Sequence, residues 1–453
     1  MLDRTSLLEQ DREHLLHPLH YPSAHENPLV IESGHGVWIR AVDGKEYIDG
    51  LAGLWNVLVG HGRTELADAA RKQMAQLAYF SNYVGAANVP AIELAGRLAG
   101  FAYPNLNATF FASGGAEANE SAFKTVRYYW KRMGKPGKVK VIARERAYHG
   151  VTLAAMSATG MTAYWPMFEP RVPNFLHIPA PYPYRFSGDI QPGETVGQAA
   201  AHALEAAIER EGPDTVGAFI AEPVQGAGGI IVPPDDYFPR VRQICDEYDV
   251  LLIADEVITG FGRTGEWFAL GRWGVQPDIM SFAKGITSGY LPLGGIQISD
   301  QIREAITGAP EGERWMHAYT YSGHPTCCAV ALSNLDILER ENLVGNAARM
   351  GQRLMDGLHR LEEEFECIGN VRGLGLMCAI EFVADRKTKK PAGIGGKVQQ
   401  ACIDRGLFTR IVGDSLLLAP ALVIRADEID QMIQIVGEAI AAVQEQIPPT
   451  DRP

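Results

Sequence analysis

The sequence has few cysteines, no excess of positive charge and no long apolar run, and these absences narrow the classes of protein it can represent. The six cysteines among 453 residues show no C-x-x-C spacing, which argues against structural zinc and against a redox dithiol. A net charge of −13 disfavours nucleic acid and anionic membrane surfaces as partners. No run approaches the roughly 18 apolar residues that span a bilayer.

Signals for export and for nucleotide binding are also lacking. Charged residues at Glu9, Asp11 and Arg12 interrupt any apolar signal core near the first residue. The glycine-rich turn at 113–116 has neither the G-x-G-x-x-G spacing of dinucleotide-binding folds nor the Gly-Lys-Ser/Thr of a P-loop. With reduced thiols as the default, the sequence predicts a cytoplasmic protein that binds no metal, no nucleic acid and no membrane.

The most informative residues are Asp255 and Lys284. Asp255 ends the apolar run 250–254, which is typical of a buried parallel strand. A second short run, 277–283, leads into Lys284. A lysine can hold pyridoxal phosphate as a Schiff base while an acid pairs with the pyridinium nitrogen. Taken alone, the two residues fit equally well a salt bridge between ordinary surface charges.

A glycine-rich turn supplies a second signal. The strand predicted at 108–112 runs into Gly114, Gly115 and Ala116, and a helix follows. Free N–H groups at such a helix start, together with the positive end of the helix dipole, favour a phosphate, and small residues let the backbone approach it closely. Many α/β turns with two glycines bind nothing, so this motif needs support from the other strand ends.

Two further predicted strands end on polar side chains. Tyr148 follows the apolar run 139–143, and Glu222 follows 219–221. The ring of Tyr148 could stack on a planar cofactor, although a tyrosine here could also pack at the rim of the core. Because ligands of open α/β sheets bind at the carboxyl ends of the strands, we expect these side chains to share one site.

Turn residues divide the remainder of the chain. Alternating residues on both sides of Asp43 and Gly44 predict a hairpin, and the proline-rich segment 180–188 predicts a loop. A long helix is expected after Pro325. The C-terminal part is expected to form two strands and a last helix, at 375–381, 415–418 and about 426–444.

A series of short motifs covers nearly the whole chain. They are GHG at 60–62, SGGAEAN at 113–119, YHG at 148–150, EPVQG at 222–226, DEVITGFGRTG at 255–265, PDIMSFAKG at 277–285, TYSGHP at 320–325 and RGLG at 372–375. In this order they resemble the class III, or omega, aminotransferases, which are fold type I pyridoxal-phosphate enzymes. The segment from Asp255 to Lys284 is the most specific part of the resemblance.

The resemblance implies an α/β fold with a large pyridoxal-phosphate domain around a mostly parallel sheet. A small α+β domain would combine both chain ends. The implied limits are 1–60 and 326–453 for the two parts of the small domain and 61–325 for the large one. The family also implies a homodimer or homotetramer, in which Thr320 reaches the phosphate of the neighbouring subunit.

The same resemblance assigns roles at the reacting centre. Lys284 would bind the cofactor and carry protons, and Asp255 would keep the pyridine nitrogen protonated. Glu222 would lie near the cofactor and help to orient its ring.

Other residues would hold the cofactor in place. The ring would lie between Val257 and Tyr148, and the backbone at Gly115 and Ala116 would bind the phosphate. The family most often has a hydroxyl residue where Ala116 stands, so the phosphate is expected to rely more on backbone donors and on Thr320.

Substrate residues follow from a comparison with the family pattern. Val151 stands where relatives that take acetylornithine or 4-aminobutyrate have an arginine, which disfavours those substrates. Arg410 lies where omega-aminotransferases keep a mobile arginine that meets a carboxylate and leaves for an apolar amine. Arg425 is the alternative, and either could be a solvated charge. Three aromatic residues could line the substrate pocket or simply pack in the core, namely Trp55, Tyr83 and Trp165.

The sequence therefore predicts transfer of an amino group from an amine or omega-amino acid to a keto acid, with pyruvate as the favoured acceptor, by a ping-pong mechanism. Alternatives on the same cofactor are 2-oxoglutarate as acceptor, intramolecular amino transfer, decarboxylation and racemisation. A non-catalytic phosphate-binding scaffold is a further alternative, but phosphate binding needs neither Lys284 nor Asp255.

Overall fold

The computed structural model describes residues 4–445 apart from residues 22 and 24. The helices are α1 (Arg4–His14), α2 (Ala52–Trp55), α3 (Thr64–Leu77), α4 (Val89–Phe101), α5 (Gly115–Arg132), α6 (Leu153–Ala158), α7 (Val196–Glu211), α8 (Tyr237–Glu247), α9 (Asp300–Thr307), α10 (Pro325–Arg340), α11 (Leu343–Glu364), α12 (Gly395–Asp404) and α13 (Ala426–Glu445). The strands are β1 (Ile31–His35), β2 (Trp38–Ala41), β3 (Glu46–Asp49), β4 (Leu106–Ala112), β5 (Lys140–Arg144), β6 (Phe175–Ile178), β7 (Val216–Ala221), β8 (Leu251–Asp255), β9 (Ile279–Phe282), β10 (Gly294–Ser299), β11 (Ile368–Gly373), β12 (Cys378–Asp385), β13 (Lys390–Pro391), β14 (Leu407–Phe408), β15 (Arg410–Val412) and β16 (Ser415–Leu418).

The largest sheet has seven strands in the order β4-β10-β9-β8-β7-β5-β6. Strands β9, β8, β7, β5 and β6 pair in parallel, and β10 runs antiparallel to both of its neighbours. Alternate residues of β8 enter two different hydrophobic clusters: Ile253 packs with α5 residues such as Val126, and Leu252 packs with α8 residues such as Phe238. The predicted α/β class with a mostly parallel sheet is confirmed.

Burial on both faces explains the sequence of these strands and the position of the site. Every residue of β7, β8 and β9 is buried, which requires nearly continuous apolar sequences. Asp255 is the last residue of β8, and Lys284 follows β9. Since parallel strands end at the same edge of a sheet, the polar residues that follow them meet there.

Two smaller sheets use the ends of the chain. The sheet β1-β2-β3-β14 combines distant segments, because β14 pairs in parallel with β3 and places Leu407 opposite Ile48. A five-stranded antiparallel sheet contains β11, β12, β13, β15 and β16, and its edge strand β15 begins with Arg410. The domain limits implied by the family stay a prediction.

Several local predictions are confirmed and one is shifted. The hairpin forms from β2 and β3, α10 begins at Pro325, and the loop 180–188 contains only a short 3-10 turn. Strand β12 begins at Cys378 rather than at residue 375. Gly375 has a φ of +56°, and a Cβ there would lie 2.4 Å from the Thr264 carbonyl carbon, so this glycine belongs to the turn before the strand.

No described helix combines the length and the apolarity needed to cross a bilayer. Among the described residues, no group of three or more His, Cys, Asp or Glu side chains is arranged to hold a metal ion.

Candidate active site

The segments that follow the parallel strands enclose a cavity of about 160 Å³. Its lining residues are Gly115, Ala116, Asn119, Tyr148, His149, Gly150, Val151, Glu222, Asp255, Val257, Ile258 and Lys284. The structure therefore brings together all of the predicted cofactor residues except Thr320.

Asp255 is buried and well supplied with hydrogen-bond donors. Its Oδ2 accepts from His149 Nδ1 at 2.7 Å and from Asn119 Nδ2 at 2.8 Å, and its Oδ1 accepts from the backbone of Val257 at 3.2 Å. Burial alone would raise the pKa of Asp255, but the interactions with His149 and the other donors outweigh it and hold the pKa below its usual range. The group facing the cavity is thus a carboxylate.

The second carboxylate of this motif, Glu256, points away from the cavity because successive side chains of an extended chain face opposite directions. Its Oε1 accepts from Tyr103 Oη at 2.5 Å and from the backbone of Leu270 at 3.0 Å. Burial raises the pKa of Glu256, although these donors oppose the change. Through these hydrogen bonds Glu256 anchors the segment after β8 to the core.

Lys284 faces Asp255 and Glu222 across the cavity without a hydrogen bond to any described residue. Burial lowers the pKa of its amine; the negative charges of Asp255 and Glu222 oppose this effect, and the positive charge of Arg410 adds to it. Its backbone has a φ of 46°, a left-handed conformation that costs about 1–3 kcal/mol in a non-glycine residue. Such strain is typical of functional positions.

Glu222 links two neighbouring strand ends. Its Oε1 accepts from the backbone of Tyr148 at 3.1 Å, and its Oε2 accepts from the backbone of Gly226 at 3.0 Å. Arg144 donates to the Glu222 carbonyl oxygen. Burial is the main reason that the pKa of Glu222 is raised, and nearby Asp255 raises it further.

The start of α5 forms a narrow cradle beside these groups. A Cβ at Gly115 would lie 2.9 Å from Val257 Cγ1, and a Cβ at Gly150 would lie 2.7 Å from the Ala116 Cβ. Gly115 and Ala116 begin α5 and line the cavity, so the N–H groups that the first turn of a helix leaves without helical partners lie at the cavity edge, where they favour an anion. An aldehyde-reactive amine, a buried carboxylate and an anion cradle together fit a flat, phosphorylated pyridine cofactor.

Thr320 lies outside the cavity, on an exposed segment. Its carbonyl oxygen accepts from Tyr79 Oη at 2.6 Å. His317 attaches the same segment to α5: Lys124 Nζ donates to His317 Nδ1 at 2.9 Å, and His317 Nε2 lies 2.8 Å from Ser121 Oγ. Burial and the charge of Lys124 lower the pKa of His317 to about 4, so the ring is neutral near neutral pH.

The predicted substrate residues are placed less uniformly. Arg410 is half-buried, and its charge acts on both Lys284 and Tyr148.

The three aromatic residues predicted to line the substrate pocket lie in different surroundings. Trp55 is fully buried in the main hydrophobic cluster, and Tyr83 is 42% exposed. Trp165 donates to the Thr159 carbonyl and stacks with Arg171. None of these three aromatic residues lines the cavity formed by the described residues.

Sequence reasoning missed two residues that touch Asp255. His149 and Asn119 both lie inside motifs singled out above, YHG and SGGAEAN. The sequence could have indicated both residues, because a buried carboxylate such as Asp255 needs hydrogen-bond donors and these motifs end at the same sheet edge. One nitrogen of His149, Nε2, is buried and has no partner among the described residues.

Comparisons with known proteins agree with this geometry. The Aminotransferase class-III family profile matches residues 20–440. A putrescine–pyruvate aminotransferase from Pseudomonas aeruginosa is 40% identical over 95% of this chain and 94% of its own length. A diaminobutyrate–2-oxoglutarate transaminase from Halomonas elongata is 39% identical over 92% of this chain and 91% of its own. The solved structure of an (S)-enantioselective omega-transaminase from Thermomicrobium roseum has a TM-score of 0.93 at 48% identity, with 98% of this chain and 99% of that chain covered.

Family, fold and site therefore lead to the same result. The profile spans nearly the whole chain, the reported relatives are similar over more than nine-tenths of their length, and the cavity provides the lysine, the carboxylate and the anion cradle that the cofactor requires. The chain belongs to the class III aminotransferases and is a pyridoxal-phosphate-dependent transaminase.

Proposed function

We propose that the protein transfers an amino group from an amine or omega-amino acid to pyruvate, with Lys284 and Asp255 at the reacting centre. The observation that carries the proposal is the convergence of both residues with the start of α5 at one cavity. The charge of Arg410 reaches the same cavity.

Asp255 supports the chemistry of the cofactor. When bound, pyridoxal phosphate supplies an electron sink for the bonds at the substrate carbon. Asp255 is anionic and would hold the pyridine nitrogen of the cofactor protonated, while His149 and Asn119 keep the carboxylate oriented. A pair of opposite charges at about 4 Å, with an effective dielectric constant of about 20, is worth roughly 4 kcal/mol.

Lys284 moves the proton at the substrate carbon. An amine can accept a proton only in its neutral form, and burial lowers the pKa of Lys284, so the neutral form appears at a lower pH than for an exposed lysine. The same amine returns a proton in the reverse half of the cycle. This dual duty suits a ping-pong reaction, in which two substrates use one site in turn.

Arg410 is proposed to bind the carboxylate of the acceptor. Burying a carboxylate without a partner costs several kcal/mol, and a guanidinium offers two parallel hydrogen bonds. The Arg410 side chain has no hydrogen bond or salt bridge to any residue that the structure describes, and it lies on an edge strand. Arg425, in contrast, already pairs with Glu428 at 3.0 Å and with Asp427.

We propose pyruvate as the acceptor because its number of carboxylates matches the number of positive charges proposed to bind the keto acid. Val151 lines the cavity and offers no charge to a carboxylate. Pyruvate has one carboxylate and matches Arg410 alone, whereas 2-oxoglutarate has two. The printed names of the relatives include both acceptors, pyruvate for one and 2-oxoglutarate for another.

A panel of amines assayed with both acceptors tests this proposal. Putrescine, 1-phenylethylamine and 4-aminobutyrate should each be offered with pyruvate and with 2-oxoglutarate, and amino transfer measured as alanine or glutamate formed. We expect alanine formation to dominate, and 4-aminobutyrate to be a poor donor because Val151 replaces a carboxylate partner. Faster glutamate formation across the panel would contradict the proposal.

We further propose that the active unit is at least a homodimer. Residues 79–88 bond to the Thr320 segment through Tyr79, Asn82 and Asn88, and large apolar side chains are exposed on and around these segments. They are Phe80, Tyr83, Val84, Val89, Ile92, Met316 and Tyr321. An exposed apolar patch of this kind marks a protein interface, and it would bring Thr320 to the phosphate of the neighbouring subunit.

A cytoplasmic location is proposed from the cysteines. All six lie in the described part of the chain, and each is buried and unpaired. Free thiols are the rule in a reducing compartment.

A further inference from the structure

The backbone that carries Lys284 is held in an unusual conformation at both ends of one short turn. Lys284 begins a 3-10 turn that runs to Thr287, and its φ is 46°. Ser288, directly after the turn, is also left-handed with a φ of 50°. Conformations of this kind persist in non-glycine residues only where the surroundings enforce them. The groups that hold the turn therefore determine where the Lys284 amine points.

Asn334 of α10 provides the main hold on this turn. Its Nδ2 donates to the Gly285 carbonyl at 2.9 Å and to the Ile286 carbonyl at 3.0 Å. Its Oδ1 accepts from Ser288 Oγ at 2.7 Å. Asn334 and Ser288 are both fully buried, so water cannot replace any of these three bonds.

Ser288 connects the turn to a second segment. Its Oγ accepts from the backbone N–H groups of Leu58 and Val59, each at 3.1 Å. Leu58 also packs close to the turn, because a Cβ at Gly285 would lie 2.6 Å from Leu58 Cδ1. The turn is thus fixed between α10 on one side and residues 58–59 on the other.

We propose that Asn334 is a positioning residue for Lys284, whose amide holds the left-handed turn and thereby fixes the direction of the amine at the cavity. Asn334 does not line the cavity, so it acts on the reaction only through the turn. An amide is needed because the site uses two donors and one acceptor on one short side chain. Leucine has a similar volume and none of these groups. The inference rests on the role proposed above for Lys284.

The first test compares Asn334→Leu with wild-type holoenzyme in steady-state amino transfer. A misplacement of about 1 Å can cost about 100-fold in rate, so we expect kcat to fall by roughly 10- to 100-fold. The KM values for amine and for pyruvate should change less than about twofold, because the substrate contacts remain. Both half-reactions should slow to a similar extent, since Lys284 moves the proton in each.

Asn346→Leu is the matched control. Asn346 is also a helical asparagine whose Nδ2 donates to two backbone carbonyls, those of Leu422 at 2.7 Å and Ile424 at 3.0 Å, but it holds no part of the Lys284 turn. We expect its kcat to stay near the wild-type value. An equal loss of kcat in both variants, or wild-type kcat in Asn334→Leu, would overturn the proposal.

A second variant and a measurement other than turnover distinguish a misplaced Lys284 from a misfolded protein. Ser288→Gly keeps the left-handed conformation, which glycine adopts readily, and removes the hydroxymethyl side chain that bonds to Asn334, Leu58 and Val59. Its kcat should fall in the same direction but less. Hydroxylamine should bleach the yellow holoenzyme several-fold faster in both variants, because the cofactor is held less firmly on Lys284. Bleaching at the wild-type rate in both would contradict the proposal.

The Lys284→Ala background separates this inference from the proposed function. If methylamine restores turnover to Lys284→Ala, adding Asn334→Leu should not change the restored rate, because a free amine does not depend on the turn. A further loss would show that Asn334 is a general structural residue. Failure of the proposed role of Lys284 would be seen separately, as a colourless wild-type protein or a fully active Lys284→Ala variant.

Discussion

Asp255 and Lys284 share one cavity, but their surroundings act on them in different ways. Burial opposes the charged form of each, yet Asp255 has three donors and keeps a pKa below its usual range. Lys284 has no such partner among the described residues, and its pKa is lowered by burial. The result is a fixed anion opposite an amine that readily becomes neutral, which is the pairing that amino transfer needs.

The first prediction concerns these two residues. Lys284→Ala should abolish turnover while the protein still folds and retains cofactor. Asp255→Asn should bind cofactor but react at least about 10-fold more slowly, because a neutral amide does not stabilise the protonated pyridine nitrogen. Absorbance of the purified proteins and single-turnover rates with an amine measure both effects. Undiminished amino transfer by Lys284→Ala would contradict the assignment.

The second prediction concerns Arg410. Arg410→Ala should raise the KM for pyruvate far more than the KM for 1-phenylethylamine, because only the keto acid has a carboxylate. The lost charge-assisted contact should be worth about 1.5–3 kcal/mol, or roughly 10- to 100-fold. Arg425→Ala is the control and should change neither value, since Arg425 already pairs with Glu428. Equal losses toward both substrates would make Arg410 structural.

At the level of elements, the strands of the central sheet could be predicted from the sequence. The side-chain hydrogen bonds that join distant segments could not. The continuous apolar run before Asp255 has the sequence of a strand buried on both faces, and β8 confirms it. The expected start of β12 at residue 375 precedes the observed start at Cys378, because alternation alone does not show that Gly375 must turn beside Thr264. His149 and Asn334 were missed because their partners lie far away in the sequence, and a single sequence carries no record of such pairs.

The third prediction concerns the segment that carries Thr320. The folded protein holds His317 with a pKa of about 4, below the ordinary value of 6.5, so the unfolded chain binds more protons between these values. The neutral ring therefore contributes stability above about pH 6.5, and this contribution is lost as the pH falls toward 4. Lys124 next to the ring makes its protonation unfavourable.

Thermal unfolding measured from pH 7 to pH 4 tests this effect. His317→Gln keeps a hydrogen-bonding side chain but cannot titrate, so its Tm should fall less over this range than that of the wild type. Identical pH dependence in wild type and His317→Gln would contradict the prediction.

At the scale of the whole molecule, the fourth prediction is that two subunits complete each site. Thr320→Ala should weaken cofactor retention, because Thr320 is proposed to contact the phosphate in the neighbouring subunit. Mixing Thr320→Ala with Lys284→Ala protein should restore one working site per hybrid dimer, since one site then combines intact Lys284 with intact Thr320. Activity of the refolded mixture and sedimentation at assay concentration are the measurements. An active monomer would overturn the prediction.

The pairing of β14 with β3 has a consequence for synthesis of the chain. The strands of the central sheet all lie between residues 106 and 299, so that sheet can assemble as they leave the ribosome. Strand β3 emerges much earlier, but this edge of it stays unpaired until Leu407 and Phe408 have been synthesised. Contacts between such distant positions form slowly, and an unpaired strand edge invites association with other chains. Nascent chains are therefore expected to be most prone to aggregate in the interval between the emergence of β3 and that of β14.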